Sequence, residues 1–372
     1  MNIRYGYYVF LGNGDYHKPT SLDDSWTSTW KLAQWESFLQ QMQSVNANTL
    51  MIYLNGHYLP YQSAAFPELV QKDHPNVQNE FFSQLLPIAK SHGINLIAVF
   101  TTTGHSGKYL ENHTELGIKV RSNIVDLDKL LSPFPDNIRK KKNIAQNGNA
   151  QVGAGILCHN NPKSQEYAIK LIKEGISTYN QFDGIALHPP ESIYSCFCNH
   201  CCQLFNAKYN KDFLTVSDDE ARYFYLESYL DFQTILENEI KSRVEKQLYT
   251  FTVPWLFEPS FEKIAEKISK DTILIDWDYN LSLSRISQLK DRLTRYQKYG
   301  HRVWFMPTAG FGINQEKDMY EEFNNLQTQI KFAIDSNADG IIHFVGPRYL
   351  IDLKKTKYVA DKNPQPSAPT SP

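Results

Sequence analysis

Phe182-Asp183-Gly184-Ile185-Ala186-Leu187-His188 and, much later, Ala338-Asp339-Gly340-Ile341-Ile342-His343 are two versions of one phrase. Each follows an amphipathic helical stretch and reads as a short buried strand running from Asp-Gly-Ile to a histidine. Such an echo suits strands four positions apart in a barrel, which reuses one strand-helix unit around its axis. Working outward, comparable β-branched or aromatic runs occur at Arg4–Leu11, Thr49–Leu54, Asn95–Phe100, Leu248–Val253, Thr272–Asp278 and Arg302–Met306. With Phe182–His188 and Gly340–Val345 these make eight predicted strands. Helical periodicity fills the intervals at Trp30–Val45, Glu80–His92, Ser164–Tyr179, Asp218–Lys246, Phe261–Ser269, Leu283–Tyr299 and Tyr320–Ser336. In Ser91-His92-Gly93-Ile94 and Lys298-Tyr299-Gly300-His301, glycine stands where a helix stops in the left-handed conformation. Strand followed by helix along the whole chain predicts an α/β fold, a (β/α)8 TIM barrel. An open doubly wound sheet would bring a glycine-rich phosphate loop after its first strand, and Gly12-Asn13-Gly14 lacks the remaining spacing.

The barrel is expected to occupy residues 1–355 as one domain, with residues 356–372 a disordered tail. The tail ends Asn363-Pro364-Gln365-Pro366-Ser367-Ala368-Pro369-Thr370-Ser371-Pro372, which cannot build a regular element. The connection between the third and fourth strands is the longest, from Thr101 to Tyr179 with its helix. Its middle is basic at Arg139-Lys140-Lys141-Lys142, then rich in Gly and Asn through Asn147-Gly148-Asn149 and Gly153-Ala154-Gly155, as expected of a lid.

The 38 basic and 40 acidic residues leave a formal charge of −2, so no global field draws in nucleic acid or an anionic membrane. Met1-Asn2-Ile3-Arg4-Tyr5 runs straight into an apolar stretch without a basic leader, and no apolar run is long enough to span a bilayer. A soluble cytoplasmic protein is the expectation. The 22 Tyr, 21 Phe and 6 Trp suit the apolar C–H faces of sugars, although an aromatic-rich core accounts for them equally well.

In a barrel, chemistry gathers where strands end and the next loops begin. The second strand is followed by Asn55-Gly56-His57-Tyr58, the third by Thr101-Thr102-Thr103-Gly104-His105, and the fourth ends His188-Pro189-Pro190-Glu191. The fifth leads into Pro254-Trp255-Leu256-Phe257-Glu258, the sixth ends Asp276-Trp277-Asp278, and the eighth carries His343 and then Arg348. Glycoside hydrolysis needs a proton donor and a second carboxylate flanking one bond. Glu191 is the candidate donor, because Pro189 and Pro190 fix the backbone before it. Asp278 is the preferred partner, with Asp276 on the same face one layer deeper, and a structural role is open for both. Asn55, His57, His105, His188, His343 and Arg348 are candidate contacts to sugar hydroxyls, since imidazole supplies one donor and one acceptor. Trp255, Trp277 and Trp304 are candidate stacking platforms or core residues.

Four of five cysteines crowd into Cys196-Phe197-Cys198-Asn199-His200-Cys201-Cys202. Clustered thiolates suit tetrahedral zinc, so Cys196, Cys198, Cys201 and Cys202 are the candidate ligands of a structural zinc ion, with Cys158 a further one. Reduced packing cysteines are the alternative, and a disulfide is disfavoured in a reducing compartment.

Several of these segments resemble bacterial barrel proteins grouped with glycoside hydrolases. The likeness rests on Tyr53-Leu54-Asn55-Gly56-His57, Ser63-Ala64-Ala65-Phe66-Pro67-Glu68-Leu69 and Thr101-Thr102-Thr103-Gly104-His105. It is densest from Cys158-His159-Asn160-Asn161-Pro162 through the Asp-Gly-Ile strand to Pro-Glu and C-x-C-x-x-C, ending at Phe205. The resemblance implies a carbohydrate substrate, no required cofactor and a catalytic acid near the end of the fourth strand, which maps onto Glu191. Many retaining barrels of this kind place the nucleophile after strand seven, yet Trp304-Phe305-Met306-Pro307-Thr308 holds no carboxylate. That departure moves the second role to strand six. Two other readings stay open: a metal-dependent barrel hydrolase or isomerase using His57, His105, His188, Glu191, Asp276 and Asp278, and a barrel that binds glycan without cleaving it.

Overall fold

Short apolar strands must pair on both edges and be covered on both faces. The computed structural model describes residues 4–11, 27–119, 155–190, 195–252, 265–277, 283–307 and 333–344. Within it the runs form a closed parallel barrel in chain order: β1 (Arg4–Phe10), β2 (Thr49–Tyr53), β3 (Asn95–Thr101), β4 (Gly184–His188), β5 (Gln247–Thr252), β6 (Ile273–Trp277), β7 (Val303–Met306) and β8 (Gly340–Phe344). β8 returns to β1 with Tyr7 opposite His343, so no edge is left open. This is the (β/α)8 architecture.

The repeated Asp-Gly phrase has a structural explanation. Asp183 donates its backbone N–H to the Leu96 carbonyl at 2.8 Å, and its carboxylate accepts from the Leu96 N–H at 2.8 Å. Asp339 does the same with Val303, at 2.9 and 2.8 Å. Each aspartate thus clips the start of its strand to the strand before it. The glycine that follows makes room for a ring: a Cβ at Gly184 would stand 2.8 Å from the Tyr249 side chain, and one at Gly340 2.6 Å from Trp304. Both fittings lie at the amino-terminal end of the barrel, beside a cavity of about 460 Å³ lined in part by Arg4, Asp183, Arg302, Trp304 and Asp339.

Helices cover the outer face. In α1 (Leu32–Ser44) Trp35, Phe38, Leu39 and Met42 recur at helical spacing and are buried. Two short helices, α2 (Pro75–Asn79) and α4 (Gly107–Asn112), flank β3, and α3 (Phe82–Ser91) is followed by Gly93 at φ +70°. α5 (Pro162–Thr178) starts where the Asn161 side chain accepts from the Lys163 N–H and proline occupies the first turn. After it come α6 (Asn199–Tyr209), α7 (Asp218–Lys241) and α8 (Leu283–Lys298), and Gly300 at φ +81° ends the last. Ser217 caps α7 by accepting from the Glu220 N–H, and Asp218, Asp219 and Glu220 complement the positive end of the helix.

α6 is a helix that the strand-and-helix reading passed over, because its first turn is the cysteine cluster. It belongs to a second, smaller core built from Ile118, Ile156, Phe205, Phe213, Phe224 and the sulfurs. The basic and glycine-rich lid segment, the proline-rich tail, the start of the helix expected at Phe261–Ser269 and most of that expected at Tyr320–Ser336 lie outside the described residues. Among the described residues no helix is long and apolar enough to cross a membrane.

Candidate functional site

Alternation along each strand, carried around the barrel by the parallel register, decides which side chains reach the carboxyl-terminal mouth. Thr101 is opposite His188, and Phe10 is opposite Tyr53. The rings that meet there form one layer. His188 lies 5.9 Å from Tyr53, 5.7 Å from His105, 5.1 Å from Phe251 and 4.9 Å from Trp277, centroid to centroid. His105 continues the layer to His57 at 5.4 Å, and Phe10 packs on Tyr53 at 5.0 Å. Contributions from β1, the loops after β2 and β3, β4, β5 and β6 thus converge.

Backbone contacts hold the three histidines in place. His188 Nδ1–H donates to the Pro189 carbonyl at 3.0 Å, while the His188 carbonyl accepts from the Thr102 N–H at 3.0 Å and its hydroxyl at 3.2 Å. His57 Nδ1 accepts from the Gly107 N–H at 3.0 Å, which leaves the ring proton on Nε2. His105 has φ +47°, a left-handed conformation costly for a residue with a Cβ. The turn around it is fastened where the Thr101 and Ser106 hydroxyls both donate to the Gly104 carbonyl, at 2.9 and 3.0 Å. His57 and His188 are buried, and His105 is the member partly open to solvent.

Other candidates stand elsewhere. Asn55 is fully buried, with its amide engaged by Thr101, accepting from the N–H at 2.8 Å and donating to the carbonyl at 3.3 Å. It positions the loop after β2 against the end of β3. Trp277 is 1 % exposed, so it forms part of the floor and not an open platform. Trp304 faces the opposite end of the barrel, 5.0 Å from Tyr249.

Asp276 is the larger correction. Trp277 reaches the mouth, so Asp276 beside it points outward, where its carboxylate accepts from Arg292 Nε at 3.0 Å and Nη2 at 3.1 Å. Both groups are buried, and the pair ties β6 to α8. His343 also points outward: it packs on Tyr5 and Tyr7 at 5.2 and 5.8 Å, and Tyr7 in turn meets Phe38 of α1. Burial lowers its pKa to about 3, and among the described residues neither ring nitrogen has a hydrogen-bond partner. Glu191, Asp278, Trp255 and Arg348 lie outside the described residues.

Among the described residues, the one group of His, Cys, Asp or Glu side chains close enough to share a metal ion is Cys158, Cys196, Cys198 and Cys201, whose sulfurs all lie within 4.8 Å of one another. Cys158 Sγ is 3.6 Å from Cys198 and 3.5 Å from Cys201. The four could hold a metal ion. Cys202 is not among them; it turns to the Phe197 carbonyl, 3.7 Å away, because the first turn of α6 carries it off the face that Cys198 and Cys201 share. Hydrogen bonds from Cys158, Cys196 and Cys201 hold the Cys198 thiol well below the usual range, whereas Cys158 is pushed up. Next to the group, His159 is buried, its pKa lowered by burial to about 3, with Nε2 2.9 Å from the Ser228 hydroxyl.

Sequence inspection missed Tyr53 and Phe251 as parts of the mouth. A signal was present: Tyr53 lies two residues before Asn55, on the parity that the alternation carries inward.

No family model matches the chain, and no curated protein does. Solved structures are similar in fold. α-L-Fucosidase isoenzyme 2 from Paenibacillus thiaminolyticus superposes over 97 % of this chain with TM-score 0.66 and 12 % identity. Dispersin B covers 97 % with TM-score 0.57 and 12 % identity, and a β-galactosidase from Halorubrum lacusprofundi 96 % with TM-score 0.60 and 10 % identity. The chain spans 48 % of the fucosidase and 58 % of the galactosidase, but 98 % of Dispersin B. At such identities the likeness is one of fold, a barrel architecture that these glycosidases share.

Proposed function

We propose that the chain is a glycoside hydrolase acting on a glycan or oligosaccharide, with Glu191 as the proton donor and Asp278 as the second carboxylate. The observation that carries this reading is the layer of Tyr53, His57, His105, His188 and Trp277 at the carboxyl-terminal mouth, the end where barrel chemistry occurs. Its imidazoles offer donors and acceptors to sugar hydroxyls, and its aromatic edges suit C–H faces. Glu191 follows His188 by three positions and Asp278 follows Trp277 directly, so this floor borders both carboxylates in sequence. Trp255 and Arg348, beyond the ends of β5 and β8, complete the proposed substrate contacts. The chemistry needs no cofactor, and the four sulfurs take a structural part as holders of a zinc ion.

Hydrolysis of a panel of aryl glycosides and oligosaccharides tests the reading, with wild type beside Glu191→Gln and Asp278→Asn and folding checked by circular dichroism. Each substitution is expected to lower kcat/KM by at least about 100-fold, as loss of an acid-base group does. A folded Glu191→Gln protein of full activity rejects the assignment. Glycan retention without turnover, equal in wild type and Glu191→Gln, makes the chain a binding barrel instead.

A further inference from the structure

We infer that Cys158, Cys196, Cys198 and Cys201 bind one zinc ion per chain, and that this ion staples the loop after β4 to the returning end of the long β3 connection. It deepens the structural part given to the sulfurs above, and it stands or falls independently of the hydrolase assignment. Four observations carry it.

The sulfurs are already spaced for the ion. A tetrahedral zinc-thiolate centre with Zn–S bonds of about 2.3 Å has sulfur–sulfur edges of about 3.8 Å. Cys158 stands 3.5 and 3.6 Å from two of its partners, and all four atoms lie within 4.8 Å of one another. A disulfide needs about 2.05 Å, and all five cysteines are free. The four are also buried, and their neighbours include Phe205, Phe213 and Phe224, so water does not compete for the ion.

Donors are aimed at the sulfurs. The Lys119 N–H donates to Cys196 Sγ at 3.3 Å, and Asn160 Nδ2 to Cys201 Sγ at 3.3 Å. Amide N–H groups directed at sulfur disperse thiolate charge, the arrangement expected around metal-bound cysteine. Asn160 is itself positioned by Ser228 of α7, at 3.0 Å.

Three stretches of chain meet at this point, and backbone bonds join them among the described residues. Ile118 N–H donates to the Ile156 carbonyl at 3.1 Å, Cys158 N–H to Leu116 at 2.8 Å, and Phe197 N–H to Lys119 at 2.6 Å. One ligand comes from the stretch ending at Cys158, just before α5, and three from the stretch beginning at Ser195, which includes the first turn of α6. Glu191 precedes Cys196 by five residues in sequence.

Zinc content of the full chain, purified without chelator, is measured by elemental mass spectrometry for wild type, Cys158→Ser, Cys198→Ser and Cys202→Ser. One ion per chain is expected in wild type and Cys202→Ser, and zinc affinity at least about tenfold weaker in the other two, with zinc content correspondingly below one. Should those two fail to fold, wild type in which cobalt replaces zinc decides the matter, through the intense visible bands and sulfur-to-metal charge transfer of a tetrahedral thiolate site. Hydrogen exchange on zinc removal is expected to rise at residues 155–160 and 195–205 before it rises in the barrel strands. Metal-free wild type that takes up neither zinc nor cobalt overturns the inference, as does a different ion in native protein or zinc lost on Cys202→Ser and kept on Cys158→Ser. Unchanged exchange in zinc-free protein overturns the staple.

Discussion

β4 and β8 begin with the same Asp-Gly-Ile fitting, yet the histidine that closes the phrase stands five residues after Asp183 in one and four residues after Asp339 in the other. Since side chains alternate, that single residue sends His188 inward to the mouth and His343 outward against Tyr7 and α1. Asp276 and Trp277 repeat the lesson on β6, where one position separates an ion pair between barrel and helix from a ring in the mouth. Nearness to a strand end is therefore not enough to place a group in the site. Parity decides, and it can be read only once one residue of the strand has been located.

The contrast can be broken most forcefully on the outer face. Asp276→Ala leaves the Arg292 guanidinium buried without its bidentate partner, and a loss of about 3–5 kcal/mol in unfolding free energy is expected from chemical denaturation. A loss under about 1 kcal/mol would show that the pair is dispensable. Gly340→Val drives a methyl group into the Trp304 ring at the fitting, with an expected cost of about 1–3 kcal/mol and a lower Tm. Next comes the inward histidine: His188→Asn is expected to leave the fold in place while reducing kcat/KM about tenfold, equivalent to about 1.4 kcal/mol of transition-state binding. Equal effects of His188→Asn and His343→Phe on turnover would erase the distinction between the faces.

His343→Phe itself has the smallest effect at neutral pH, because it swaps a buried ring that has no hydrogen-bond partner among the described residues for an apolar one. Its signature is in acid. With a folded pKa of about 3 against an ordinary 6.5, the unfolded chain takes up the proton first. Stability present above the ordinary value is thus lost as pH falls toward the folded one, by about 1.4 kcal/mol per pH unit for this one group. His159 at about 3 and His74 at about 4, each lowered by burial, add slopes of the same sign. Denaturation between about pH 7 and about pH 4 should show a shallower decline in the Phe variant, and identical slopes would remove His343 from the acid response.

The barrel was legible because its strands are apolar runs bounded by glycine and its helices carry a stripe at helical spacing, both local properties. Asp-Gly-Ile also marked a real fitting, though one that concerns register and ring packing, not catalysis. The site was less legible. His57, His105 and His188 converge because Thr101 lies opposite His188 and Asn55 clasps Thr101, and cross-strand relations of this kind have no local sequence mark. The sulfurs show the same limit: proximity in sequence favoured Cys202, while the fourth member, Cys158, comes from a stretch 38 residues before Cys196.

Cys202 then acquires a use that its exclusion from the sulfur group creates. It alone of the five thiols is not buried, so an alkylating reagent applied to native protein should mark it first and spare the other four for as long as they are held. Progress from one added label to five, followed by intact mass, would be a clock that starts when the second core opens, built into the chain without any engineered reporter.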